Sequence, residues 1–125
     1  YRDKRGELRW PKTAILNYPV QGFSADLMML ARISAFKRIN SLGFEKDVLL
    51  INTVHDDIQI DVDNNPDLCY NICSMMVKVF KDIPRNFERL YGSVFNIPLE
   101  GEVSFGPNLK MMEAFNEQKG KEQFA

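Results

Sequence analysis

The chain has 125 residues, of which 45% are hydrophobic and 26% are charged, and its formal net charge is −1. This length and composition predict one globular domain, or part of one, and exclude a disordered chain. The balanced charge excludes binding to nucleic acid through overall positive charge, so any such binding needs a local basic patch.

Neither a membrane span nor a secretory signal is expected from the sequence. It contains no apolar run of about 18 residues and no charged-then-apolar leader. These features favour an intracellular protein. The chain begins with Tyr1 rather than Met, which suggests a fragment, a processed product or a trimmed chain.

Residues 1–16 form a basic lead-in to the rest of the chain. Gly6 predicts a turn between short extended pieces, and Pro11 excludes a long helix or strand across it. The lead-in either follows the phosphates of a nucleic-acid duplex or is a solvated surface segment, and both interpretations stay open. Its basic residues are Arg2, Lys4, Arg5, Arg9 and Lys12, against Asp3 and Glu7.

The segment 17–23 (NYPVQGF) predicts a tight turn that leads into a helix over 24–42. Ser24 is the expected N-cap, and Asp26 places negative charge in the first turn. Gly43 is a typical C-terminal stop for such a helix.

Residues 47–62 predict a β-hairpin. Its first arm, 48–54, is apolar apart from two polar residues, which indicates a strand covered on both faces or nearly so. Its second arm alternates apolar and polar residues, so one face is buried. His55, Asp56 and Asp57 lie between the arms.

The second half of the chain predicts a helical region over 66–91, with Asn65 as N-cap and Pro84 as a stop or kink. A third strand is expected over 97–105, with a bulge at Gly101, followed by a tail over 108–125 whose polar end frays. The order of elements predicts an α+β fold, in which a small antiparallel sheet and its hairpin pack against helices on one face.

Cys69 and Cys73 lie four residues apart in the predicted helix. Helical geometry at this spacing is poorly suited to a disulfide. They are interpreted as small buried hydrophobic residues.

The hairpin tip carries the residues best suited to chemistry. Two adjacent aspartates repel each other and are a poor choice for a tight turn, and such exceptions mark functional sites. Carboxylates at a rigid strand end suit Mg²⁺, although one aspartate cannot build a two-metal site. A solvated acidic turn is the alternative. A metal-dependent nuclease would need further carboxylates near Asp56, and the sequence offers Asp26, Glu100 and Glu102.

Asn17 and Gln21 are amides that flank the proline of NYPVQG. Amides can donate to the minor-groove acceptors that every base pair presents, so they contact DNA without reading its sequence. Ordinary turn and capping chemistry is the alternative.

Together, these motifs resemble the C-terminal palm region of family A (Pol I-like) DNA polymerases, most closely that of phage members. That family carries N-x-P-[VI]-Q-G-x-x-A-D at the start of a palm helix and V-H-D-E at a hairpin tip called motif C. The later IPLEGEVSFGPN is similar to the family's closing palm strand. The resemblance covers essentially the whole chain. The matching residues are Asn17, Pro19, Val20, Gln21, Gly22, Ala25 and Asp26, then Val54, His55 and Asp56.

The resemblance implies catalytic and DNA-binding roles for the matching residues. Asp56 and Asp57 would bind Mg²⁺, and His55 would lie near the primer 3′ end. Gln21 and Asn17 would contact the minor groove of the primer–template. Two departures stand out: Asp57 replaces the family's usual Glu, and Thr13 stands where the family often has Arg.

The family's motif A, fingers and thumb are absent from these 125 residues. The resemblance therefore implies half of a two-Mg²⁺ site for template-directed nucleotidyl transfer from dNTPs, inactive as an isolated chain. A second polypeptide, or a missing N-terminal portion, would supply the rest. It also implies a cytoplasmic location, in the host cell for a phage protein. A non-catalytic, palm-derived DNA-binding or scaffolding module is the alternative.

Overall fold

A computed structural model describes residues 1–124 of the chain. Within them, helices and two separate two-stranded antiparallel sheets make up an α+β arrangement, which confirms the predicted fold class. In chain order the elements are α1 (Lys12–Ser41), β1 (Val48–Val54), β2 (Asp57–Val62), α2 (Pro66–Lys81), α3 (Ile83–Tyr91), β3 (Ser104–Asn108), β4 (Met111–Ala114) and a C-terminal 3₁₀ segment (Glu117–Phe124).

Helix α1 begins at Lys12, so the predicted start at residue 24 is wrong. The expected turn over 17–23 is helical, and Ser24 lies inside the helix rather than capping it. Pro19 within α1 removes one backbone donor, but the helix continues on both sides of it. The helix ends as expected, with Gly43 in the left-handed region at φ 76°.

The predicted hairpin is confirmed as β1 and β2. Val48 pairs with Val62 at one end and Val54 with Asp57 at the other. The register shifts between Leu50 and Asn52, which makes Ile51 the extra residue of a bulge.

Within the described residues β1 is covered on one face only, so the expected cover of its second face is not found among them. Leu49 and Ile51 are 65% and 59% exposed, whereas Val48 is buried. The helices cover only the inner face of the hairpin, and no other described element packs on the outer one.

The core lies between α1, α2 and the inner face of the hairpin. Asn65 caps α2 as predicted, and its side chain accepts from the backbone N–H groups of Asp67 and Leu68. Helix α3 starts at Ile83 with Pro84 in its first turn, so the predicted interruption falls at Asp82. The fully or nearly fully buried residues include Ala31, Ala35, Ile39, Val48, Ile72, Met76, Val79 and Ile83.

The bounds predicted for the third strand, 97–105, are wrong. The strand β3 starts at Ser104 and pairs with β4, so it does not extend the first hairpin. Gly106 lies inside β3, where a β-carbon would come within 1.8 Å of the Met111 carbonyl oxygen. Gly101 is not at a bulge. It lies against the Phe80 ring, and a β-carbon added at Gly101 would lie 2.7 Å from a carbon of that ring.

Within the described residues the C-terminal tail is held rather than frayed. The Ser74 hydroxyl hydrogen-bonds Glu117 at 3.2 Å, and Lys121 lies 2.5 Å from an oxygen of Asp67. Both contacts join the 3₁₀ segment to α2. Only residue 125 of the predicted tail lies outside the described residues.

Cys69 and Cys73 are both free, and Cys73 is buried. Burial, with a smaller contribution from the neighbouring Cys69, raises the pKa of the Cys73 thiol to about 11. In residues 1–124, no helix has the length and apolar character needed to cross a membrane.

Candidate active-site hairpin and helix face

The tip of the first hairpin is a two-residue turn formed by His55 and Asp56, because Val54 pairs directly with Asp57. His55 has φ 52°, and it is the only non-glycine residue with positive φ among residues 1–124. The left-handed region costs an L-residue about 1–2 kcal/mol. A histidine here carries strain that glycine would avoid, which is typical of functional positions.

The two aspartates of the tip occupy different structural positions. Asp56 is exposed in the turn, and no side-chain hydrogen bond or ion pair within the described residues involves it. Asp57, predicted to lie in the turn, is instead the first residue of β2. The Gln59 amide donates to its carboxylate at 3.4 Å. Asp56 therefore has the freer carboxylate, whereas Asp57 is fixed in the β-ladder.

Within residues 1–124, no three His, Cys, Asp or Glu side chains are gathered so that they could hold a metal ion. Asp26, Glu100 and Glu102 therefore do not join Asp56 in a ligand set. Exposed carboxylates at a tight turn do fit the hard-oxygen preference of Mg²⁺. A complete site at this tip needs further ligands beyond those that the described residues bring together.

Asn17 and Gln21 are four residues apart on α1, so their side chains share one helix face. The same stripe continues through Ser24 and Met28 to Ala31 at helical spacing. Met28 and Ala31 are buried in the core, whereas the two amides are exposed. The core-facing stripe of α1 thus becomes an exposed amide stripe in the first half of the helix.

The buried end of the amide stripe and the inner face of the hairpin belong to one core. Leu50 and Ile60, from the inner face of the hairpin, pack against the cluster that contains Ala31 and Ala35. The connection between α1 and β1 is short, spanning residues 42–47.

The basic lead-in is folded as a small turn of its own. Arg2 and Leu8 form an isolated antiparallel bridge around Gly6, as the predicted turn requires. Arg9 is neutralised, because it lies 2.7 Å from Asp3 and 3.4 Å from Glu7.

The other basic residues of the lead-in differ from Arg9. Arg5 and Lys12 are exposed and take part in no ion pair within the described residues. Arg2 and Lys4 are likewise exposed and in no ion pair within the described residues, so all four are available cations of the lead-in. Lys12 begins α1, immediately before Thr13.

Ser24 is a polar neighbour of the two amides that the sequence, which predicts it as an N-cap, did not place beside them. It stands on the stripe of Asn17 and Gln21 and is exposed at the boundary with the core. The spacing of residues 17, 21, 24, 28 and 31 is the signal. This spacing can be recognised only when the helix is known to extend back through Pro19.

A comparison of the chain with protein-family models, with curated protein sequences and with solved structures finds no match.

Proposed function

We propose that the chain contributes the motif C half of the active site of a DNA-directed DNA polymerase. The observation that carries this proposal is the strained two-residue turn that presents Asp56 at the hairpin tip. The exposed amides of α1, on the stripe of the helix that continues into the core, support it. A turn with only a structural role would favour glycine where His55 stands.

Asp56 holds a carboxylate at the tip, free of other side-chain partners within the described residues, where it can ligate Mg²⁺. When bound, a pair of Mg²⁺ ions would activate the primer 3′-hydroxyl and stabilise the leaving pyrophosphate. Asp57 lies one residue further along and, with a side chain one carbon shorter than Glu, serves as a secondary carboxylate. The remaining ligands come from outside these residues, so the chain alone is inactive.

Gln21 and Asn17 position the primer–template. Their amides donate to purine N3 and pyrimidine O2 in the minor groove, which checks the shape of a base pair without reading its identity. His55 lies beside Asp56 and orients the primer terminus. The partners are primer–template DNA, a dNTP, and a polypeptide that carries motif A, fingers and thumb.

Primer extension with Mg²⁺ tests the proposal, using material that co-purifies with this chain from its native source. Asp56→Ala should abolish extension and leave duplex affinity within a few-fold of wild type, because the change removes a metal ligand. Asp61→Ala is the matched control, since Asp61 is an exposed aspartate on the same hairpin.

Extension by Asp56→Ala within a few-fold of wild type would overturn the catalytic assignment. If Asn17→Ala and Gln21→Ala then still weakened duplex binding, the non-catalytic DNA-binding module would be the better description. If the chain co-purifies with no extension activity at all, the polymerase proposal fails outright.

A further inference from the structure

A stripe of basic side chains crosses the junction between α2 and α3. Lys78 and Lys81 lie in the last turn of α2. Arg85 and Arg89 follow on α3. All four are exposed. Their spacings of three and four residues keep them on one side of a helical run that is interrupted only at Asp82.

The stripe has excess positive charge. Asp82, in the middle of the stripe, is paired with Arg38 and lies 3.4 Å from Arg85. Glu88, the other acidic residue among these cations, is exposed and offsets one further positive charge. Lys78, Lys81 and Arg89 take part in no ion pair within the described residues. The chain as a whole has a net charge of −1, so this concentration of cations is local to one face.

The apolar residues between these cations point inward. Val79 is fully buried and Ile83 is 2% exposed. A helix that lies on a lipid surface needs an exposed apolar face along its basic one, whereas here the exposed apolar residues of α3, Leu90 and Tyr91, lie only at one end of the stripe. At the helical rise of 1.5 Å per residue, the run from Lys78 to Arg89 spans at most about 16 Å. A line of fixed cations of this length suits a regular line of phosphates, which recur about every 3.4 Å per strand of a duplex.

We propose that this stripe, defined by Lys78, Lys81, Arg85 and Arg89, binds the phosphate backbone of duplex nucleic acid. It is a second contact surface, apart from the hairpin tip and the amides of α1. It adds phosphate contacts to the proposed polymerase function, but it does not depend on that function because it requires no catalysis.

The salt dependence of duplex binding tests the stripe. Affinity of the full chain for a fluorescein-labelled duplex of about 20 base pairs is measured from about 25 to 150 mM NaCl, since each phosphate contact adds about 0.9 to the slope of log K against log salt. The stripe variant is Lys78→Gln, Lys81→Gln and Arg89→Gln together, which keeps Arg85 because it pairs with Asp82. Its slope should fall by about 2.7 if all three cations contact phosphates.

The matched control variant is Lys46→Gln, Lys110→Gln and Lys119→Gln together. These lysines are exposed and belong to no ion pair within the described residues. Their replacement removes the same net charge as the stripe variant does. The control should keep the wild-type slope to within about one unit. Circular dichroism and thermal melting confirm that both variants are folded.

Equal losses of slope in the two variants would overturn the proposal, because they would show a general charge effect. Failure of the wild type to bind the duplex at low salt would also overturn it. So would a stripe variant that loses binding to phosphatidylserine vesicles but not to the duplex. The result is separable from the polymerase proposal: a stripe effect with normal extension by Asp56→Ala would leave the stripe standing and reject the active site.

Discussion

Replacing His55 with glycine tests whether the histidine at the hairpin tip lowers the stability of the fold while serving the proposed function. His55 has φ 52°, and the left-handed region costs an L-residue about 1–2 kcal/mol. Glycine removes that cost but loses about 0.5–1 kcal/mol in backbone entropy. The net expectation for His55→Gly is a gain of about 0.5–1 kcal/mol in the free energy of unfolding.

The gain should raise the melting temperature by about 2–5 °C, interpolating between the values for smaller and larger domains. Differential scanning calorimetry measures it, with His55→Ala as the control because alanine keeps the β-carbon and hence the strain. The same His55→Gly variant should lose primer extension. Equal melting temperatures for the glycine and alanine variants would refute the claim of strain, and undiminished extension would refute the functional role.

Three further predictions concern the helix face, the second hairpin and the buried thiol. Gln21→Ala should lower primer-extension kcat/KM about 5- to 30-fold, the equivalent of one lost hydrogen bond, whereas Asn40→Ala, an exposed amide on the opposite face of α1, should not. Gly106→Ala should cost about 2–4 kcal/mol in urea unfolding, because its methyl group overlaps the Met111 carbonyl. Gly22→Ala, which meets nothing within 4 Å inside α1, should instead stabilise by about 1 kcal/mol. The Cys73 thiol should react with iodoacetamide at pH 8 about 100-fold more slowly than an unperturbed thiol. The free energy of unfolding should also fall as pH rises from 9.0 to about 11, because over this interval the thiol ionises in the unfolded chain before it does in the folded one. Equal alkylation of native and urea-unfolded protein, or flat stability over that interval, would contradict the assignment.

The parts of the fold that were predictable from the sequence depend on local rules. The hairpin could be predicted because apolar and polar residues alternate with a period of two in a strand. The start of α2 could be predicted because Asn65 and Pro66 form a standard helix cap. The start of α1 was not predictable, because Pro19 is locally a helix breaker and the helix passes through it. The partner of β3 was also hidden, since pairing between strands depends on contacts that no local pattern encodes.

The candidate site was predictable in its residues but not in its arrangement. The His55–Asp56 turn stood out because it violates turn preferences. The placement of Asp57 in β2 follows from the register, which the bulge at Ile51 shifts by one residue. The sequence also did not predict that Gln21 lies on the same helix stripe as the buried residues of α1. That follows only once the helix is known to begin at Lys12.

The central claim is that the Asp56 carboxylate ligates catalytic Mg²⁺, and single-turnover primer extension with isosteric variants tests it most directly. The assay uses the assembled polymerase and compares wild type, Asp56→Asn and the hairpin control Asp61→Asn at saturating DNA. We predict a loss of about 1,000-fold or more for Asp56→Asn, because an amide oxygen is a far weaker Mg²⁺ ligand than a carboxylate and several kcal/mol of charge stabilisation disappear. Asp61→Asn should extend at the wild-type rate. An Asp56→Asn rate within a few-fold of wild type, or equal losses in both variants, would contradict the account.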